Sequence, residues 1–208
     1  MDELDAKVLV RTRLMLHGVA ELLLAGPQFQ ASGTIRLRAT PGGIGTTTEP
    51  DMRVEGDKLV AESARVRLSD KTYAEVAAAA GIQPRRLDDL YADGPGVQPQ
   101  QRVDVDPRAA AVIADAFAVG NTALRALADE QPVLWPEHFD IGIRVDKVNY
   151  GVSPGDAFES TPYAYLSPPH PQHGEFWNAP FGAARPLSAL GSADGVLAFF
   201  QEGRSLMT

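Results

Sequence analysis

A chain of 208 residues, 44% hydrophobic and 22% charged, has the composition of one globular domain able to bury a sizeable core. Its formal charge of −8 repels phosphate backbones and anionic headgroups, so neither nucleic acid nor a membrane is expected as a partner. The lack of cysteine excludes disulfides, thiol catalysis and every cysteine-ligated zinc or iron–sulfur site.

The start, Met1-Asp2-Glu3-Leu4-Asp5, is acidic where a signal peptide would be basic. The apolar runs around Val19-Ala20 and Leu22-Leu23-Leu24 are interrupted by Glu21 and are too short to cross a bilayer. The cytoplasm is the expected location. From Leu4 to Ala25 the spacing of Leu4, Val8, Met15, Val19 and Leu22 predicts a helix with a core stripe, and Arg13, His17 and Glu21 fall on another face. Gly26-Pro27 is the predicted stop.

Alternation over Thr34–Ala39 predicts a half-buried strand, broken at Pro41-Gly42-Gly43-Ile44-Gly45. That glycine-rich segment lacks the Gly-Lys-Ser/Thr ending of a phosphate loop, so it reads as a turn between strands. Strands are predicted near Met52–Val54, Lys58–Glu62 and Ala64–Leu68, the first two joined at Gly56-Asp57. Thr72-Tyr73-Ala74-Glu75 is a capping box, which places a short helix over Tyr73–Ala80 with Gly81 as its stop. The stretch 83–105 reads as a long surface connection. Asp106-Pro107 opens a helix to about Asp129.

Beyond Pro132, Phe139, Ile141, Ile143 and Val145 alternate with polar residues, Asp146-Lys147 is a hairpin turn, and Val148, Tyr150 and Val152 lie on the returning strand. Pro162–Leu166 and Phe176-Trp177 are further strand candidates, and Gly191-Ser192 precedes a terminal helix. Strands cluster instead of alternating with helices. This predicts an α+β fold, a mostly antiparallel sheet with N-terminal, central and C-terminal helices packed on it. The expected organisation is a single domain, 1–208, with two sub-layers, 1–82 and 106–208, joined by 83–105. No fixed-period repeat is visible, although the halves share a loose helix-then-strands plan.

The four histidines carry the candidate chemistry. A helix puts His17 and Glu21 on one face, and a strand puts His138 and Asp140 on one face. Two imidazoles and two carboxylates suit Zn²⁺, Mn²⁺ or Fe²⁺ and an activated water, so His17, Glu21, His138 and Asp140 are the candidate metal ligands. The bland reading is a helix-surface pair and a strand histidine bonded to a carbonyl. Glu137 and Asp156 are the candidate catalytic bases. Ser153 and Asp156 follow a strand in a Ser-Pro-Gly turn, without the Gly-x-Ser-x-Gly elbow of a hydrolase. Tyr163, Tyr165, Phe176, Trp177 and Phe181 form an aromatic segment suited to a pocket or to a core beneath the last helix, with Tyr163 and Tyr165 on one strand face. His170 and His173 sit in a proline-rich loop.

Five segments, Leu16–Glu21, Arg36–Gly43, Leu134–Asp140, Tyr150–Asp156 and Phe176–Ala183, resemble a family of actinobacterial hypothetical proteins of about this length. The C-terminal half is more distantly similar to another family with a Trp…Phe-Asp strand. Neither resemblance implies an activity, a fold or a ligand. The favoured reading is a cytoplasmic protein that binds a small molecule between the sheet and the first helix, in a cleft lined by His17, Glu21, Trp135, His138, Tyr150 and Trp177. The alternatives are a metal-dependent hydrolase or lyase and an interaction subunit without a pocket.

Overall fold

A proline inside a helix removes a donor and crowds the carbonyl one turn back, and the first helix meets Pro27 by widening instead of ending. The computed structural model, which describes residues 4–207, runs α1 (Ala6–Val19) through a π turn (Ala20–Ala25) into α2 (Gly26–Ser32). In the π turn the Gly26 N–H donates to Glu21 O. The next donor in that ladder would be the Pro27 nitrogen, which has no hydrogen, so Leu22 O accepts instead from Arg85 N–H at 3.1 Å. Gly26 allows this close approach, since a Cβ there would lie 2.2 Å from Arg85 O. The predicted helix stop is therefore the docking point of the 83–105 segment. The helix ends at Gly33, left-handed at φ 74°.

Among the described residues twelve strands follow, in the order β1 (Leu37–Thr40), β2 (Gly43–Thr46), β3 (Met52–Glu55), β4 (Lys58–Ala61), β5 (Ala64–Arg67), β6 (Lys71–Thr72), β7 (Arg102–Val103), β8 (Val133–Trp135), β9 (Asp140–Val145), β10 (Val148–Ser153), β11 (Tyr163–Ser167) and β12 (Ala183–Pro186). Ten form one antiparallel sheet in the order β12-β11-β10-β9-β8-β1-β2-β3-β4-β5, and β6 pairs with β7. With helices α3 (Tyr73–Ala80), α4 (Pro107–Leu127), α5 (Leu187–Leu190) and α6 (Ala193–Ser205), this is an α+β fold with helices packed on an antiparallel sheet.

The local signals explain most of these elements. The Thr72/Glu75 capping box holds α3, and Gly81 closes it in the left-handed conformation. Asp106 caps α4 through the Arg108 and Ala109 N–H groups. Asp146 and Lys147 adopt φ 52° and 70°, as a tight hairpin turn between right-twisted strands requires. Three expectations change. Gly43-Ile44-Gly45 is a strand, because only Gly42 turns the chain, and Gly43 runs close to Val54 O. Phe176-Trp177 is not a strand, and β12 takes that sheet position. The 83–105 segment is more than a surface connection, since Leu87, Val97, Val103 and Val105 are buried in the core.

Helix α4 is long and apolar enough to cross a membrane by length and composition, which the sequence reading did not detect. The fold uses it as a core helix: Ala109, Ile113, Phe117 and Leu124 are buried, and it packs against α1, α6 and the strands β1, β2, β9 and β10. The acidic segment Met1-Asp2-Glu3, read above against a signal peptide, lies outside the described residues.

The topology also contains a duplication. Helix, five-stranded meander and shorter helix occur first as α1–α2, β1–β5 and α3, then as α4, β8–β12 and α6. The equivalent first strands β1 and β8 lie side by side and antiparallel, Leu37 opposite Leu134, and the strands follow in chain order outward from this pair on both sides. The loose shared plan of the sequence is thus a repeated order of elements, with β2, β8 and β12 the strands whose absence from the sequence reading hid it.

Candidate functional site

Alternation along the second meander sends Ile141, Val152 and Tyr150 toward the helices, where Ile141 and Val152 meet α4 at Gly120 and Tyr150 packs edge-on against Phe200. The opposite face carries Trp135, Asp140, Gly142, Arg144, Asn149, Ser153, Tyr163, Tyr165 and Ser167. This face is the floor of a cleft of about 1110 Å³. Its far wall is α1 from Val10 to His17, where Arg13 donates to Ser160 O at 2.9 Å and His17 reaches Pro136 O at 2.7 Å. Val10 and Leu14, 38% and 44% exposed, line the same wall.

Two glycines shape the floor. Tyr165 on β11 is opposite Gly151 on β10, which is opposite Gly142 on β9. A Cβ on Gly151 would lie 2.4 Å from Tyr165 Cζ, so the bare backbone lets the ring lie across the strands. Its hydroxyl thereby reaches over β10 and donates to Asp140 Oδ2. Asp140 is 8% exposed, and its Oδ1 has no hydrogen-bond partner among the described residues. Burial raises the Asp140 carboxyl, a shift opposed by the Tyr165 bond and by the nearby His138. Burial also raises the Tyr165 hydroxyl well above its usual range, with the Asp140 charge adding to the shift.

A second tyrosine–carboxylate pair stands beside the first. Tyr163 donates to Asp156 Oδ2 at 2.5 Å, while Asp156 Oδ1 accepts from the Phe158 and Glu159 N–H groups. The rings of Tyr163 and Tyr165 are 6.2 Å apart, and Phe181 lies 6.1 Å from Tyr165. Phe158 joins both ends, 5.8 Å from Tyr163 and 5.0 Å from Phe181. Four rings therefore form a closed circuit of contacts, and two of them carry carboxylate-bonded hydroxyls.

His17 is held as a neutral imidazole. A carbonyl only accepts, so the proton is on Nε2, which donates to Pro136 O. The ring also stacks on Phe139, 5.1 Å away and 10° from parallel. Burial lowers its pKa from 6.5 to about 4. A depressed folded pKa gives stability that is complete above pH 6.5 and is lost as pH falls toward 4. Up to about 3 kcal/mol of pH-dependent stability is expected from this group. Urea denaturation between pH 7 and pH 4 should show that loss, and the His17→Gln variant should show a flatter profile. Parallel profiles for the two proteins would rule His17 out as its source.

The remaining predicted residues separate. Trp135 and His138 line the cleft with His17. Tyr150 borders it but turns its ring to the helix side. Trp177 packs on Phe176 against α6 and is not in the lining. Glu21, 1% exposed, is covered by the 83–105 segment: Tyr91 donates to its Oε2 at 2.9 Å, and Gly94 passes close by. Its carboxyl is raised by burial, partly offset by the Tyr91 bond.

His138 and Asp140 do not share a strand face. Phe139 N–H closes a turn to Trp135 O and adopts φ 54°, so His138 is exposed in a turn and Asp140 opens the strand. The four proposed ligands His17, Glu21, His138 and Asp140 are not gathered, and among the described residues no group of three or more histidines or carboxylates is placed to hold a metal ion. Glu137 lines the cleft 4.0 Å from His138. Asp156 lines it too, with both oxygens engaged. Ser153 Oγ accepts from the Gly155 N–H, and His170 and His173 are exposed in their loop.

Sequence reasoning missed Arg13, the Tyr165–Asp140 pair and the two floor glycines. The signal was present, since a glycine inside each of two adjacent predicted strands marks close approach by another group. The chain matches no protein-family model, no curated protein and no solved structure.

Proposed function

We propose that this protein binds a small molecule in the cleft between α1 and the open face of β8–β11. The observation that carries this reading is the lining itself. A trough of ligand size combines apolar and aromatic surface from Val10, Leu14, Trp135, Tyr163 and Phe181 with many charged and polar groups, Arg13, Asp140 and Asp156 among them, so it offers both burial and orienting contacts to a small molecule. The exposed side chains on α1 add to this, since apolar residues turned into a concave surface gain from being covered. The metal-hydrolase alternative is less favoured, because His17 Nε2 and Glu21 are each committed to partners elsewhere. A fold that needs no disulfide is suited to a reducing compartment, and the cytoplasm is the proposed location.

Trp135 and Trp177 are the two tryptophans, so a Trp177→Phe protein reports from the cleft alone. Screening a metabolite library by its fluorescence and by thermal shift should find ligands that stabilise the fold in proportion to occupancy. Leu14→Arg, on an exposed position, is expected to weaken such ligands by at least about tenfold, or 1.4 kcal/mol, with little change in the Tm of the free protein. Stabilising compounds that bind the Leu14→Arg protein unchanged would place the site elsewhere.

A further inference from the structure

Resting on the cleft reading, we infer that the ligand carries an ammonium group, seated at the corner formed by Tyr163, Tyr165, Phe181 and the carboxylates of Asp140 and Asp156. Hydrogen-bond bookkeeping leads to this. A tyrosine hydroxyl has one hydrogen to give, and both tyrosines spend it on a carboxylate. The hydroxyl oxygens retain only acceptor capacity, part of it at Tyr163 used by Ser153. Asp140 Oδ1 is a further acceptor, buried and without a partner among the described residues. A ligand group at this corner must therefore donate.

Charge selects which donor. Neither Asp140 nor Asp156 is in an ion pair with a cationic side chain among the described residues. Arg13 interacts with the Asp156 charge through space but gives its hydrogen bonds to the backbone carbonyls of Ser160 and Asp156. Around the whole cleft, five carboxylates face three guanidiniums, and His17 adds no charge at pH 7 because burial holds its imidazole neutral. A buried carboxylate lacking a cation is costly, and a ligand that supplies one gains what the protein leaves open. The aromatic circuit reinforces the choice. Adjacent rings meet at 52° to 80°, like walls rather than a flat stack, and cations bind favourably against such ring faces. Elsewhere the trough adds apolar and aromatic surface from Val10, Leu14 and Trp135 among its polar groups, which specifies an amphipathic amine over a bare inorganic cation.

Three probes of one shape test the inference: 2-phenylethylamine, 2-phenylethanol and phenylacetate, titrated at pH 7 into the Trp177→Phe protein. The amine is expected to bind at least about tenfold more tightly than the alcohol, and the acid more weakly than either. Asp140→Asn and Asp156→Asn should each erase most of the preference for amine over alcohol. Asp156 is exposed, so its variant remains informative if the buried substitution impairs folding. Equal binding of amine and alcohol, or a preference that survives both substitutions, would overturn the ammonium assignment and leave the cleft reading standing. Failure of all three probes to perturb Trp135 would overturn it as well, and the Leu14→Arg library screen then decides the cleft reading separately.

Discussion

Tyr165→Phe is expected to destabilise the protein by about 2–3 kcal/mol at pH 7 and by no more than about 1 kcal/mol near pH 3. The substitution leaves the ring in its place over Gly151 and removes only the hydroxyl that Asp140 Oδ2 accepts from. Because Oδ1 already lacks a partner, the buried carboxylate then has no side-chain donor at all. The sign of the pH effect follows from the direction of the shift. A carboxyl whose folded pKa is raised contributes stability that is whole below its unfolded value, here 3.8, and that is lost as pH rises through the folded value. The Tyr165 bond opposes that shift, so its removal deepens the loss at neutral pH. Below pH 3.8 the carboxyl is neutral in both states, and one ordinary hydrogen bond is all that disappears. Urea denaturation of wild type, Tyr165→Phe, Asp140→Asn and the double variant at both pH values gives the coupling directly. A coupling energy that does not change with pH would remove the charge from this account.

The fold was more legible than the site, and the reason lies in the range of the interactions. Capping of α3 by Thr72 and Glu75, the start of α4 at Asp106-Pro107 and the Asp146-Lys147 turn are decided within a few residues. A reader of local chemistry finds them. Gly26-Pro27 carries an equally local stop signal, and tertiary structure overrides it: the carbonyl that the proline leaves without a donor is satisfied by Arg85, far along the chain. The same segment buries Glu21 under Tyr91, which removes a predicted ligand from the cleft. At His138 and Asp140 the error was one of conformation. Period-two spacing implies a shared face only if every residue between is extended, and Phe139 is left-handed. Tyr163 and Tyr165 were correctly placed on one face, but the partners of their hydroxyls depend on strand register, which no spacing rule supplies.

Gly151→Ala should have an effect of similar size by the opposite route, with excess volume in place of a missing bond. The added methyl would lie 2.4 Å from Tyr165 Cζ and 2.5 Å from its Oη, and real contacts do not close to that distance. Gly151 sits in the middle of β10, paired on both sides with β9 and β11, so the backbone has little freedom to move away. The ring must lift instead, and the lift withdraws the hydroxyl from Asp140. Overpacking of this kind costs about 1–3 kcal/mol, and the loss of the Asp140 bond adds to it, for an expected total of at least about 3 kcal/mol in urea denaturation at pH 7. The lifted ring would also stand in the cleft, so ligand-induced stabilisation should fall in parallel. A second substitution separates the steric cause from a general intolerance of strand β10. Tyr165→Ala vacates the space the new methyl needs, so Gly151→Ala should cost about 1 kcal/mol or less in that background. A penalty as large there as in the wild-type protein would mean that the glycine serves the strand itself and not the ring laid across it.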